Sequence, residues 1–257
     1  MGLIRSWRRK RRLERRRIDA ALWARVVGTY EFLADLSADE RERLHALVVH
    51  FLAEKELAGA GGMDLTDEVC VAIAAQACLP ILELGLDWYD GFVGIVVYPG
   101  QFQVRRTEVD DDGVMHEWDD ALSGEAMPGG PVVLSWEDVG LAGAGYNVVI
   151  HEFAHKLDML HGDADGYPTA HPDMDQEEWH RVLEVTYVRL CDKVDRGRTT
   201  PFDEYAAEHP AEFFAVMTEE LFTDPVLLKE EYPTLYGQLV QFYRQDPAAR
   251  VRRKPER

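Results

Sequence analysis

Cysteine is scarce in this chain of 257 residues: Cys70, Cys78 and Cys191 are the only three. That number excludes a disulfide framework. Cys70 and Cys78 fall in an apolar helical pattern and read as small core residues of a protein kept in a reducing compartment. No apolar run approaches the roughly 20 residues that span a bilayer. The basic run Arg5–Arg17 lacks the apolar stretch of a signal peptide. These absences point to a cytoplasmic protein with no membrane span. Positive charge is also missing where a nucleic-acid binder would need it. Of 28 Lys and Arg, nine lie in residues 1–17 and five in 250–257, leaving 14 basic against 45 acidic residues between them. Such an acidic body repels phosphate backbones, so direct nucleic-acid binding is not expected of it. The two basic ends read as a flexible, solvated arm (1–17) and a tail (250–257) around one domain, 18–249.

What the chain does have is concentrated in Asn147–Gly162, which contains His151-Glu152-Phe-Ala-His155 in an apolar frame. Asn147 suits a helix N-cap and Gly162 a residue just past a C-terminus, with no proline or glycine between them. On a helix, His151 and His155 are about 400° and about 6 Å apart, so both imidazoles leave one face. They can share one Zn²⁺, with Glu152 beside them as general base. Val148, Val149, Ile150, Phe153, Ala154, Leu157 and Leu160 cover most of the circumference, as in a buried helix. Two histidines and a glutamate buried without a partner would be costly, and a metal ion removes that cost.

The surrounding chain reads as α+β, mostly helical with a small sheet ahead of the motif helix. The pattern is helical from Ile18 to about Leu84, with a capping box at Ser37 and Glu40, a loop at Gly59–Gly62, and a helix from Thr66 that Pro80 ends. Residues 92–136 hold the sheet: Gly94–Pro99, Gln101–Thr107 and Val132–Trp136 are strand-like, with sharp breaks at Asp110–Gly113 and Met127–Pro131. Val132–Trp136 is the candidate edge strand beside a substrate cleft, where an extended peptide could pair. Asp163–Gly166 reads as a turn, because no bidentate acid follows at the spacing of a calcium loop. Helices then fill 174–243: Trp179–Val194, Ala211–Phe222, and a last one from about Val226 to Tyr243.

Two ligands and a base are not a complete catalytic zinc site, which usually takes three protein ligands. His161 stands where a metzincin has its third histidine. That pattern also needs glycine where this chain has Asp158; without the turn, His161 continues about 9 Å up the helix axis from His155. Asp158 itself could orient a ligand or help end the helix. The other candidate is a carboxylate on a later helix. Pro210 fits the first helical position, so Glu212 occupies the first turn of a strongly apolar helix, where a lone glutamate is costly unless something positive faces it. A first-turn glutamate is also favoured by the helix dipole alone. Glu204, Glu208, Glu219 and Glu220 are alternatives with more polar neighbours.

His151-Glu-Phe-Ala-His-Lys-Leu-Asp158, Ala164-Asp-Gly166 and Asp203-Glu-Tyr205-Ala-Ala-Glu-His-Pro-Ala-Glu212-Phe-Phe-Ala-Val216 together resemble the Mlc titration factor A family. The resemblance covers roughly residues 20–245. It implies a zincin-like fold related at its catalytic core to anthrax lethal factor, and a cytoplasmic zinc metallopeptidase with aminopeptidase-like activity on short peptides. It assigns the third zinc ligand to Glu212, beside His151 and His155, and a metal-facing catalytic role to Tyr205, beside Glu152. It also implies a partner, a Mlc-type transcription repressor, and with it an alternative: a regulatory binding module whose zinc site is structural or vestigial. The basic arm is outside the family pattern.

Overall fold

The computed structural model describes residues 18–109, 115–143 and 145–251, with the side chains of 105–109, 116–120 and 161 outside that description. The expected arm at 1–17 and all but the first two residues of the expected tail lie outside the described residues. Helices α1 (Ala20–Thr29), α2 (Glu31–Ala34) and α3 (Ala38–Glu54) open the fold. The capping box at the head of α3 forms as its sequence predicts: Ser37 Oγ accepts from Glu40 N, and Glu40 Oε2 accepts from Ser37 N at 2.9 Å. Arg250 is not a solvated tail residue. Its guanidinium meets the Glu40 carboxylate at 2.7 Å, and both side chains are about 15% exposed, which ties the end of the domain back to α3.

The helical reading of Ile18 to about Leu84, interrupted only by the loop at Gly59–Gly62, fails at β1 (Glu56–Gly59), a strand that pairs in parallel with β2 (Gly94–Tyr98). Glu-Leu-Ala-Gly has little β propensity; the partner strand, distant in sequence, decides its conformation. Helix α4 (Asp67–Cys78) follows, capped by Thr66 and ended before Pro80. The antiparallel pair β3 (Phe102–Val109) and β4 (Met115–Leu122) forms a separate two-stranded sheet. Strands β5 (Gly124–Ala126) and β6 (Val132–Ser135) complete the main sheet in the order β1-β2-β6-β5, with β5 antiparallel to β6.

This order corrects the expected edge. All four residues of β6 are buried and the strand is paired on both sides, as expected of the apolar run Val132–Leu134 in an interior strand. The terminal strands of the sheet are β1 and, beside β6, β5, whose Gly-Glu-Ala sequence carries no strand signal.

After the short α5 (Trp136–Val139) comes the motif helix, α6 (Val148–Asp158). It ends earlier than Gly162: Met159 is its C-cap, a 3₁₀ turn runs through His161, and Gly162 is extended. Helices α7 (Gln176–Asp195) and α8 (Pro210–Thr223) lie close to their expected places. The last expected helix is two, α9 (Pro225–Glu231) and α10 (Pro233–Tyr243), because Pro233 has no N–H and starts a new first turn. Among the described residues, no helix is long and apolar enough to cross a membrane.

The core sits around α6. Phe153 is fully buried, with ring centroids 5.0 Å from Tyr89, 5.7 Å from Phe51 and 5.8 Å from Phe92. These rings, edge to face from Tyr89 and Phe92 and tilted from Phe51, anchor the helix from below, and truncating such a phenylalanine costs about 3–5 kcal/mol. Opposite this anchor, α6 presents its histidines.

Candidate metal centre

Asn147 begins α6 and does more than cap it. It is fully buried; its Oδ1 accepts from Ile150 N at 2.9 Å and its Nδ2 donates to Gln76 Oε1 on α4 at 2.8 Å. Its backbone N–H donates to Glu219 Oε2 on α8 at 2.5 Å. One residue thus sets where the helix starts and how it sits against both neighbours.

One turn on, Nε2 of His151 and Nε2 of His155 lie 3.2 Å apart. Glu212 Oε2, from the first turn of α8, lies 3.0 Å from the former and 3.3 Å from the latter. Among the described residues these three form a group that could hold a metal ion. The fit can be tested on the distances. Bonds of about 2.0–2.2 Å in a tetrahedral arrangement require donor atoms about 3.3–3.5 Å apart, close to the triangle seen here. Two facing imidazole nitrogens and a carboxylate oxygen at such separations suit a shared cation. The expected group is therefore brought together by two helices 61 residues apart along the chain. The alternative through His161 concerns a side chain outside the described residues.

Electrostatics reinforce the triangle. Burial works against the charged form of His151, but the Glu219 and Glu212 carboxylates outweigh it and raise its pKa well above the usual range. Burial likewise opposes ionisation of Glu212, yet hydrogen bonds from His151 and His155 hold its carboxyl far below the ordinary value. The region is prepared for positive charge.

Sequence reasoning set Glu219 aside as a residue with polar neighbours. The structure buries it at 4% exposure and puts its Oε1 2.6 Å from His151 Nδ1. Its neighbours Thr218 and Glu220 are polar, but α8 is buried almost all round. A signal existed: Glu219 is seven residues, two turns, after Glu212, hence on the same helix face.

Glu152, 5% exposed, lies against β5. A Cβ at Gly124 would fall 2.4 Å from its Oε1, so glycine there lets the carboxyl group reach the strand. Burial pushes the Glu152 carboxyl up, against the lowering pull of His151 and His155. Nothing in the sequence singles out Gly124, because its contact is with a residue 28 positions away.

Tyr205 sits in the 3₁₀ turn Glu204–Ala207, is 43% exposed, and has its ring centroid 6.2 Å from that of His151. It lies at the cleft surface and not in the core. The cleft has two lobes that meet at Leu122, Gly124, His151, Glu152 and Tyr205. The first, about 450 Å³, extends towards Tyr146, Asp203 and Glu208. The second, about 350 Å³, extends towards Met127, Pro128, His209 and Glu212. Its wall is held by Lys156, whose Nζ donates to the carbonyls of Met127 at 2.5 Å and Gly130 at 2.9 Å, bracing the turn between β5 and β6.

Comparison with known proteins agrees with this arrangement. Residues 4–244 match the model of a family described as glucose-regulated metallo-peptidase M90, so the match takes in most of the basic arm that was expected to lie outside the family pattern. The Mlc titration factor A of Salmonella arizonae is 40% identical over 225 residues, covering 86% of this chain and 89% of the relative. Those of Salmonella paratyphi B and Salmonella typhimurium are also 40% identical over 225 residues, with 86% of this chain and 84% of each relative covered. With the family's match running nearly end to end, and a His-His-Glu group of the kind a metallopeptidase needs, the chain belongs to the glucose-regulated metallo-peptidase M90 family, that of the Mlc titration factor A proteins.

Proposed function

We propose that this chain is a zinc-dependent peptidase that removes residues from the amino ends of short peptides, and that it also binds a Mlc-type transcription repressor. The convergence of His151 Nε2, His155 Nε2 and Glu212 Oε2 within 3.0–3.3 Å carries the reading. Two histidines, one glutamate and an adjoining cleft are the donor set of a catalytic, not a closed structural, zinc site. A bound zinc ion would supply Lewis acidity, polarising the scissile carbonyl and making a water molecule a better nucleophile at neutral pH.

The protein's groups do the rest. Glu152 accepts the proton of the attacking water and delivers it to the leaving amine. Its buried position, with a raised pKa, suits a group that must both take and return a proton. Tyr205, exposed at the meeting of the two lobes, donates a hydrogen bond to the oxygen that gains charge as the carbonyl is attacked. An extended peptide pairs with β5, a terminal strand of the sheet, next to Glu152. Asp203 and Glu208 line the first lobe, and among the described residues no lysine or arginine lines it, which suits a cationic α-amine. The fold is read as zincin-like, one domain over 18–249, working in the cytoplasm.

A second reading, a regulatory binding module with a structural or vestigial zinc site, is favoured by the relatives' name, titration factor. One experiment separates the two. Purified protein is assayed for zinc content and for hydrolysis of chromogenic aminoacyl substrates, with Glu152→Gln as control. The peptidase reading expects one zinc per chain in both proteins and a loss of at least about 100-fold in turnover for the variant. Equal turnover by the variant, or none by fully loaded wild type, rejects it. Repressor binding that survives in Glu152→Gln separates the regulatory role from hydrolysis.

A further inference from the structure

Asp158 ends the motif helix, yet its side chain is not in solvent. It is 4% exposed, its Oδ2 accepts from Gly166 N at 2.7 Å, and its Oδ1 is buried with no hydrogen-bond partner among the described residues. A buried carboxylate is a costly way to stop a helix, so the contact calls for another purpose. Gly166 supplies one. It has φ +83°, and a Cβ there would lie 2.2 Å from the carbonyl oxygen of Pro210, 2.3 Å from its carbon and 2.8 Å from Ala211 N. Backbone therefore sits directly on backbone, with no room for a side chain between them.

The two ends of this contact are informative. Asp158 is three residues beyond His155 on α6, and Pro210 and Ala211 are the first two residues of α8, immediately before Glu212. At the far side of the site, α6 and α8 are joined by Glu219, which meets both His151 and the N–H of Asn147. At the near side, the Asp158–Gly166–Pro210 contact joins the last turn of one helix to the first turn of the other. Glu212 can keep a 3.0 Å and a 3.3 Å approach to the two histidines only if this spacing is held.

We infer that Asp158 and Gly166 are positioning residues of the metal centre, a spacer that sets the separation between the histidine helix and Glu212. The inference rests on the reading of His151, His155 and Glu212 as the metal ligands. Asp158 holds Gly166 by its N–H, and Gly166, lacking a side chain, lets Pro210 come to contact distance. Groups that orient ligands in this way typically change metal affinity by about 10- to 100-fold when altered.

The test uses the full chain, stripped of metal and titrated with Zn²⁺ against a chromogenic chelator. Asp158→Ala, Asp158→Asn, Gly166→Ala and Glu212→Ala are compared with a core control on α10, the fully buried Leu239→Ala. Thermal unfolding of each metal-free protein is recorded, and so is the visible spectrum of the Co²⁺ form. Gly166→Ala and Asp158→Ala are expected to bind zinc at least about tenfold more weakly and to alter the Co²⁺ spectrum. Asp158→Asn, which still accepts from the Gly166 N–H, should recover most of the affinity. Leu239→Ala should lower the unfolding temperature without changing zinc affinity. Zinc affinity within twofold of wild type for both Gly166→Ala and Asp158→Ala overturns the spacer. If Gly166→Ala does not fold, the Ala and Asn variants of Asp158 decide: equal affinities overturn the proposal. Wild-type affinity in Glu212→Ala instead overturns the ligand reading, and the spacer with it.

Discussion

Glu219 Oε1 lies 2.6 Å from Nδ1 of His151, on the side of the ring away from Nε2, which faces Glu212. A carboxylate in that position fixes the tautomer that leaves Nε2 free to bind an ion, fixes the ring plane, and makes the imidazole a stronger donor. Because Glu219 Oε2 also takes the N–H of Asn147, the same carboxylate fastens the start of the motif helix. Glu219→Gln, similar in shape but uncharged, should therefore weaken zinc binding by about 10- to 100-fold while the protein stays folded. Competition with a chelator measures it; an unchanged dissociation constant would remove Glu219 from the site.

Gly124 makes room for Glu152. The Cβ of an alanine at this position would stand 2.4 Å from Glu152 Oε1 and 2.7 Å from its Cγ, so the carboxyl group has to move. A displacement of about 1 Å in a reacting group can cost up to about 100-fold in rate. Gly124→Ala should lower kcat by about 10- to 100-fold with zinc content unchanged. Steady-state kinetics beside metal analysis checks this, and wild-type kcat in the variant would show that the base lies elsewhere.

Tyr205 is tested by removing only its hydroxyl. If it donates to the developing oxyanion, Tyr205→Phe should lose about 10²- to 10³-fold in kcat, with KM and zinc affinity little changed. A loss confined to KM would make it a substrate-binding side chain instead.

Glu220 provides a pH signature. It is 3% exposed, its Oε2 has no hydrogen-bond partner among the described residues, and burial, with Asp224, Glu219 and Asp203 nearby, pushes its pKa up to about 8 from an ordinary 4.5. Between those values the folded chain holds a proton that the unfolded chain has released, so stability falls as pH rises through the window. Glu220→Gln removes this penalty. In metal-free protein the variant should match wild type near pH 4 and exceed it by about 1–3 kcal/mol at pH 8, the order of cost for a buried polar group without a partner. Urea unfolding at the two pH values measures the difference; a gap that does not change with pH would count against a protonated Glu220.

Much was legible before any coordinates. The helix bearing His151, Glu152 and His155, its Asn147 cap, the capping box of α3, the Pro210 start of α8 and the strand Gly94–Tyr98 all follow from local rules, and all lie near their expected places. These are features in which residues a few positions apart satisfy one another, and such pairs are written side by side in the chain. Glu212 is a different case. Its place in the first turn of an apolar helix made it the best placed of the later carboxylates and the family resemblance pointed to the same residue, but no local rule shows its approach to the two histidines.

What tertiary structure alone decided shares one character: each feature needs two segments far apart in the chain. Strand β1 exists because β2 pairs with it, and the sheet order makes β5, not Val132–Ser135, the terminal strand on that side. Glu219 becomes the partner of His151, and Gly124 the neighbour of Glu152, through contacts 68 and 28 positions apart in sequence. The chain by itself determined which residue types could bind an ion and where their helices begin. Packing decided the distances between those helices, because α6 and α8 are rigid bodies whose separation is set by what fits between them: a carboxylate at one end and, at the other, a glycine with no side chain at all.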